Sequence, residues 1–383
     1  MSELSVFMHP RAFWIGKYTG VSRYVCELIQ GLLDKGVEVQ LPILDTPNGY
    51  LRKADFFPLV SQGSPKESLL WKCLSQVPMC PEWAELARRQ MLRTQSLKAL
   101  KTFRYDLVHP THNNSTEILP HIKKTPLVIT IHDMTHELFP QSFSPADPSA
   151  RRKREFARRA DRIIAISRRT KEDAVRILGV DPDIVDVVYH GNSLTLPRIP
   201  LAHIPPLPER YVLFVGKRAG YKNFENFIKA FSIIHQKAPE LHLICVGGGA
   251  FSDEENRLIA ELRLASFVRQ LPADDALLAT LYSKAEFFVY PSLYEGFGLP
   301  LLEAFSCGAP VVCSDASCFP EIAGDAALYF DGNSVENIAE AMEEAFLNET
   351  LRSKLRKKGT ERLTHFSWAK CAEETLTSYQ RVL

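Results

Sequence analysis

Two stretches of the chain gather side chains able to do chemistry. In Tyr290-Pro291-Ser292-Leu293-Tyr294-Glu295-Gly296-Phe297-Gly298-Leu299-Pro300-Leu301-Leu302-Glu303, two carboxylates flank a glycine-rich loop. In Gly216-Lys217-Arg218-Ala219-Gly220-Tyr221-Lys222-Asn223, three cations share one turn. An ionised carboxylate only accepts hydrogen bonds and can take two from a diol, so Glu295 and Glu303 suit sugar or ribose hydroxyls. Closely spaced ammonium and guanidinium groups suit a diphosphate, whose two charges they balance. A solvated basic turn is the plain alternative for Lys217, Arg218 and Lys222. Phosphate and polyol recognition in one corner together point to a nucleotide-sugar. The Gly296-Phe297-Gly298 pair lacks the third glycine of a dinucleotide fingerprint, which argues against a dehydrogenase. No Asp-x-Asp pair stands beside the cationic turn, so no metal site is expected and cationic side chains can do a metal's work.

These residues need a scaffold that brings them together. The apolar run Glu286-Phe287-Phe288-Val289-Tyr290 reads as a buried parallel strand ended by Pro291. Leu299-Pro300 opens a helix, because proline in a first turn gives up only an N–H without a helical partner. That expectation puts Glu303 in the first helical turn and Glu295 in the loop before it, at the carboxyl end of a strand, where ligands bind in open α/β sheets. Tyr211 to Gly216 is a second strand leading into the cationic turn, with a helix from Asn223. Leu241 to Val246 is a third, followed by Gly247-Gly248-Gly249, and Ala309 to Cys313 closes the series.

The first half alternates in the same way. Leu4 to Met8 is strand-like, and Val21, Val25, Leu28, Ile29 and Leu32 recur at helical spacing just after Gly20. A helix start at Gly20 suits an anion, although a plain strand-to-helix turn is the simpler account of one glycine. Val37 to Leu41 and Leu107 to His109 read as strands, and Pro126 to Ile131 delivers His132 and Asp133 to a strand end. A hydrogen-bonded structural histidine is the plainer reading of His132, and ligand contact the functional one. Arg162 to Ile166 is another strand, with Ser167 placed to cap the helix Arg168–Leu178. Residues 45–105, punctuated by proline and glycine, read as an insertion on the acceptor side, helical from Glu82 to Phe103. Five prolines between Pro197 and Pro208 make a stiff linker. The expected class is α/β, with two Rossmann-like parallel-sheet domains facing each other across a cleft. The expected boundaries are 1–195, 196–365 and a C-terminal helix at 366–383 that crosses back to the first domain.

Composition is that of a globular protein: 383 residues, 45% hydrophobic and 24% charged, too long for one typical core. The eight cysteines form no CxxC pair and read as reduced thiols of a cytoplasmic protein. No apolar run approaches the length of a membrane span and no leader is evident. The net charge of +1 hides an asymmetry, with 27 basic against 21 acidic residues in 1–189 and 19 against 24 in the rest. Much of the excess lies in Arg151-Arg152-Lys153-Arg154 with Arg158, Arg159 and Arg162, read as a basic helix. A solvated face explains it most simply; anionic lipid headgroups or a charged acceptor are the functional reading. Nucleic acid is not expected, because aromatics are not interleaved at stacking spacing.

The stretch from Glu295 to Glu303 resembles the E-x7-E signature of retaining glycosyltransferases of the GT-B fold, family four. Thr19-Gly20-Val21-Ser22-Arg23-Tyr24 is similar to that family's N-terminal glycine loop, and Ile131-His132-Asp133 to its strand-end histidine. Ala165-Ile166-Ser167, Tyr189-His190-Gly191-Asn192, Phe214-Val215-Gly216 with Lys222-Asn223, and Phe366-Ser367-Trp368 continue the likeness in order over nearly the whole chain. The resemblance implies that Lys217 or Arg218, with Lys222, binds the donor diphosphate, assisted by the Gly20 N–H. It implies that Glu295 and the N–H groups of Phe297 and Gly298 hold sugar hydroxyls and that Leu299 joins the binding set. Glu303 would take the ribose diol, and His132 would approach the sugar. Where many members have Gly-Arg, this chain has Gly216-Lys217-Arg218, which leaves open which cation takes the arginine's part. The implied activity is metal-independent transfer of a hexose, without a cofactor, from a nucleotide-sugar to a saccharide or lipid-linked acceptor. The form around Val215 to Phe224 leans toward GDP-mannose, with a UDP-sugar close behind. A nucleotide-sugar epimerase and a non-catalytic nucleotide-sugar-binding partner are the rival readings.

Overall fold

The computed structural model describes residues 4–14, 18–43, 46, 48–57, 81–111, 115–196, 204–218 and 220–383. The centre of the expected insertion (58–80, with Cys73 and Cys80) and most of the proline linker (197–203) lie outside the described residues. The chain forms two compact units, one of Met1–Met134, Ala146–His190 and Trp368–Leu383, the other of Thr135–Pro145 and Gly191–Ser367.

In the first unit, strands β1 (Ser5–Met8), β2 (Glu38–Gln40) and β3 (Leu107–His109) pair in the order β2-β1-β3. Strands β4 (Val128–Ile131), β5 (Arg162–Ala165) and β6 (Val185–Val187) pair as β4-β5-β6, all parallel. Single parallel bridges from Val108 to Leu127 and from Thr111 to Thr130 carry the pairing from β3 to β4. The helix Gly20–Leu33 starts where the apolar spacing starts. Thr19 caps it in a reciprocal box, its Oγ1 accepting from Ser22 N at 3.1 Å while Ser22 Oγ accepts from Thr19 N at 3.2 Å. Its buried face includes Tyr24, Val25, Leu28, Ile29 and Leu32, against which the last helix, Trp368–Gln380, packs Cys371 and Ala372. Ser167 caps the helix Arg168–Leu178, accepting from Thr170 N at 3.0 Å.

In the second unit a six-stranded parallel sheet has the order β12-β11-β10-β7-β8-β9. Its strands are β7 (Arg210–Val215), β8 (Leu241–Val246), β9 (Val268–Leu271), β10 (Phe287–Tyr290), β11 (Val311–Ser314) and β12 (Ala327–Phe330). The chain begins in the middle with β7, lays β8 and β9 to one side, then crosses to the other side for β10. The switch point of the sheet therefore lies between β7 and β10. The helices Phe224–Lys237 and Val335–Leu347 bury Phe227, Phe231, Ile338 and Met342 against it.

Four features depart from the sequence expectation. β9 and β12 were not foreseen; both are four-residue edge strands with partly exposed faces, β9 (Val268-Arg269-Gln270-Leu271) without a continuous apolar run and β12 (Ala327-Leu328-Tyr329-Phe330) with a short one that the sequence reading passes over. The helix after the glycine loop runs Leu299–Ser306, so Glu303 is its fifth residue and lies in the second turn, not the first. The basic helix runs Ser149–Arg159 and stops short of Arg162, which opens β5 and pairs with Asp186 at 2.7 Å. Finally, 135–145 groups with the second unit rather than with 1–195. Phe139 packs 5.6 Å from Tyr221 and 6.1 Å from Tyr294, and Phe143 stacks on Tyr221 at 6.4 Å.

Candidate active site

The turns that follow β7 and β10 meet at the switch point. Lys222 ends the short turn Gly220–Lys222 after β7, and Glu295 sits in the loop after β10. Their side chains join, Lys222 Nζ donating to Glu295 Oε1 at 2.5 Å, with 17% and 14% of each side chain exposed. The pair is shielded enough to hold its geometry and open enough for a ligand to reach. Beneath it, Leu293 N donates to Tyr221 O at 2.8 Å, and the Tyr221 ring lies 5.2 Å from the Lys222 ammonium. Asn223, with φ 60, donates from Nδ2 to Pro291 O (3.1 Å) and Gly332 O (2.7 Å), tying the cationic turn to the end of β10.

The two candidate diphosphate cations are not equivalent. Lys217 is exposed, whereas the Arg218 side chain is 3% exposed. The Arg218 guanidinium donates to Glu255 Oε1 (2.8 Å) and to the carbonyls of Gly247 (2.7 Å), Gly249 (2.9 Å) and Ala250 (2.8 Å), and it lies over the Phe251 ring. It thus organises the turn after β8. Gly247, Gly248 and Gly249 all have positive φ there, and a Cβ on Gly248 would lie 2.8 Å from Arg218 Nη1. Positive φ favours glycine at all three positions, and at Gly248 the packed arginine also leaves no room for a Cβ.

Glu295 is held at its backbone as well. Ser317 Oγ donates to Glu295 O at 2.7 Å and accepts from Glu295 N at 3.2 Å. Burial pushes the Tyr290 hydroxyl well above its ordinary range, and the neighbouring Glu295 carboxylate pushes it further. Gly298, with φ 91, caps the helix Leu299–Ser306 at its N-terminus; Phe297 before it is buried, and so is Glu303, at 9% exposure, with the Tyr282 hydroxyl 3.4 Å from Oε2. Glu295, Phe297, Gly298, Leu299 and Glu303 are thus brought to one helix start, with Lys222 beside them. Among the described residues no group of three or more His, Cys, Asp or Glu is arranged to hold a metal.

Gly20 and His132 belong to the other unit. Gly20 is the exposed first residue of its helix. His132 is buried, and desolvation lowers its pKa to about 4, Asp133 opposing and Lys153 adding to the shift, so the ring is neutral near pH 7. It lies edge-on to Tyr24 (5.0 Å), which stacks on His190 (4.6 Å). Behind them runs a buried polar chain: the Tyr24 hydroxyl shares a hydrogen bond with Thr130 Oγ1 (2.8 Å). Thr130 Oγ1 shares one with His109 Nε2 (2.8 Å), and His109 Nδ1 one with the Tyr379 hydroxyl (2.5 Å). Lys153, fully buried, donates from Nζ to Asp133 O at 2.7 Å, pinning the residue after His132. Sequence reasoning names Tyr24 only within the glycine loop and Lys153 only within a basic helix, and it passes over Ser317. Lys153 had a signal, since it shares the i, i+3, i+4 face of its helix with buried Phe156 and Ala157. Ser317 had none.

With this geometry in place, the chain can be set beside known proteins. Residues 18–195 match the family model Glycosyltransferase Family 4, and residues 201–362 the model Glycosyl transferases group 1. Over 277 residues the chain is 30% identical to the O-antigen chain mannosyltransferase B of Escherichia coli, covering 68% of this chain and 72% of that one. Sucrose-phosphate synthase of Thermosynechococcus elongatus is similar in structure with a TM-score of 0.73 at 21% identity, covering 99% of this chain and 98% of that one. Anabaena Alr3699/HepE, solved in complex with UDP and glucose, matches with a TM-score of 0.70 at 19% identity, covering 99% of this chain and 100% of that one. At such identities the likeness is one of fold, and the fold is GT-B. Two glycosyltransferase models matched one after the other along the chain, and a relative 30% identical over 72% of its own length, leave one conclusion: the chain belongs to glycosyltransferase family 4.

Proposed function

We propose that this glycosyltransferase moves a hexose from a nucleotide-diphosphate sugar to a saccharide or lipid-linked acceptor in surface-glycan synthesis, with retention at the anomeric carbon and without a metal. The observation that carries the reading is the Lys222–Glu295 pair at the switch point, with buried Glu303 one helical turn behind. Lys222 and exposed Lys217 take the diphosphate, because the Arg218 guanidinium is already committed to Glu255 and three carbonyls. Glu295 and the N–H groups of Phe297, Gly298 and Leu299 hold sugar hydroxyls, and Glu303 the ribose diol. Gly20 and neutral His132 keep the donor-contacting roles that the family likeness implies.

In such a transfer the leaving group is a nucleoside diphosphate, and its developing charge is the main electrostatic burden of the transition state. Lys222 meets that charge. The acceptor attacks on the face the leaving group departs from, and the leaving phosphate takes the acceptor's proton, so no carboxylate nucleophile is needed. Lys222→Ala lowers turnover on the order of 10²-fold or more; near-normal turnover removes Lys222 from this role.

GDP-mannose is the first donor to test, supported by the likeness to a mannosyltransferase, and UDP-sugars are the second, supported by HepE with UDP. Purified protein is incubated with a panel of GDP- and UDP-sugars and read by thermal shift and by product. The right donor at a hundred times its Kd raises stability by about 2.7 kcal/mol. Transfer to added acceptor supports the proposal; isomerised donor without acceptor makes the protein an epimerase; a shift with no chemistry makes it a binding partner.

A further inference from the structure

Among the described residues four non-glycine residues have positive φ: Lys123, Asn223, Arg263 and Ser317. Two of these bracket the Lys222–Glu295 pair. Asn223 follows Lys222 and bonds through its side chain to the end of β10, while Ser317, with φ 58, stands in the loop after β11. Glycine takes such a backbone without strain, so serine at this position costs stability that glycine would not. Backbone strain of this kind persists at functional sites where the surroundings over-determine it. Here the hydroxyl does what glycine cannot. It donates to Glu295 O at 2.7 Å and accepts from Glu295 N at 3.2 Å, closing both backbone polar groups of that residue onto one atom.

We propose that Ser317 is a positioning residue for sugar transfer: its hydroxyl fixes the Glu295 backbone, and so the direction in which the Glu295 carboxylate meets Lys222 and the donor sugar. This rests on the reading of Glu295 as a donor-binding group. The fixed direction matters because a small misplacement of a positioning group lowers rates steeply.

Two variants separate positioning from plain structural support. Ser317→Gly removes strain and hydroxyl together, whereas Ser317→Ala removes the hydroxyl and keeps the strain. If Ser317 only supports the fold, activity follows stability: glycine at or above wild type, alanine below. If it positions Glu295, both variants lose kcat by about 10- to 100-fold, although Ser317→Gly melts no lower than wild type. In a Glu295→Gln background the Ser317→Gly change then costs less than about twofold, because residues acting through one another are non-additive. A Ser317→Gly enzyme with at least half the wild-type kcat, or one losing as much in the Glu295→Gln background as alone, overturns the proposal. A readout without turnover keeps the two readings apart. The Glu295 amide exchanges with solvent about 10-fold faster in Ser317→Gly than in wild type if its N–H is held by that hydroxyl. Wild-type protein that transfers from no donor defeats the transferase reading alone, while unchanged amide exchange defeats the Ser317 assignment.

Discussion

Lys217 and Arg218 are adjacent cations in opposite surroundings, the first exposed and proposed above to meet the donor, the second buried against Glu255 and three carbonyls. Removing the exposed lysine leaves the fold intact, so Lys217→Ala shifts stability by no more than about 0.5 kcal/mol but weakens donor binding, read as a raised donor KM. Arg218→Ala strands Glu255 and the carbonyls of a glycine turn, and denaturant unfolding should report a loss of about 3 kcal/mol. Equal stability of the two variants would refute this division. The buried histidines of the first unit add a pH signature. Desolvation lowers the pKa of His109 to about 3 and of His132 to about 4, and holds His190 well below its ordinary value. Unfolded, all three titrate near 6.5. Below that pH the unfolded chain binds protons the folded one refuses, so stability is full above about pH 6.5 and falls toward pH 4, by up to about 1.4 kcal/mol per pH unit per histidine. Melting temperatures between pH 4 and 7.5 check this, and a flat profile contradicts it. His109→Gln should flatten the slope.

At the scale of elements, the last helix matters as much as the strands. A Cβ on Gly31 would lie 2.5 Å from Ala372 Cβ, so the helices Gly20–Leu33 and Trp368–Gln380 approach as closely as glycine permits. Gly31→Ala should therefore destabilise by about 1–3 kcal/mol through overpacking, despite alanine's better helix propensity. A stabilised variant would show that the contact relaxes freely. The segment 135–145 has a comparable role beside the donor-side turn. A Cβ on Gly220 would lie 2.4 Å from Ser142 Oγ, and Phe139 and Phe143 pack on Tyr221, next to Lys222. The segment thus buttresses the turn that carries Lys222, the lysine proposed above to meet the donor diphosphate.

Across the whole molecule, charge is the long-range property. The helix Ser149–Arg159 exposes Arg151, Arg154 and Arg158 while turning Lys153 inward to Asp133. No described helix is long and apolar enough to cross a membrane. We propose that this face works at an anionic membrane surface on the cytoplasmic side. Sedimentation with vesicles containing anionic lipid should show binding that weakens with salt and falls when Arg151, Arg154 and Arg158 are changed to Gln. Binding indifferent to salt, or absent, refutes it.

Much of this protein is legible in its sequence because the signals are local. Apolar runs bounded by proline and glycine mark β7, β8, β10 and β11, and the family motifs mark the loops after them. The capping residue Ser167 and the helix start beside Gly20 are short-range patterns as well. Edge strands β9 and β12 escape: half-exposed β9 has no apolar run, and the four apolar residues of β12 are too few for periodicity to tell a strand from a buried helix segment. What only the tertiary structure decides is which of several similar side chains is free to meet a ligand. Arg218 is committed to carbonyls about thirty residues away, Lys153 to the residue after His132, and Ser317 to the backbone of Glu295. Each of those partners is distant in sequence and adjacent only once the sheet has formed. Residue type and spacing therefore determine the kind of chemistry, while hydrogen-bond satisfaction in the folded chain decides which residue performs it.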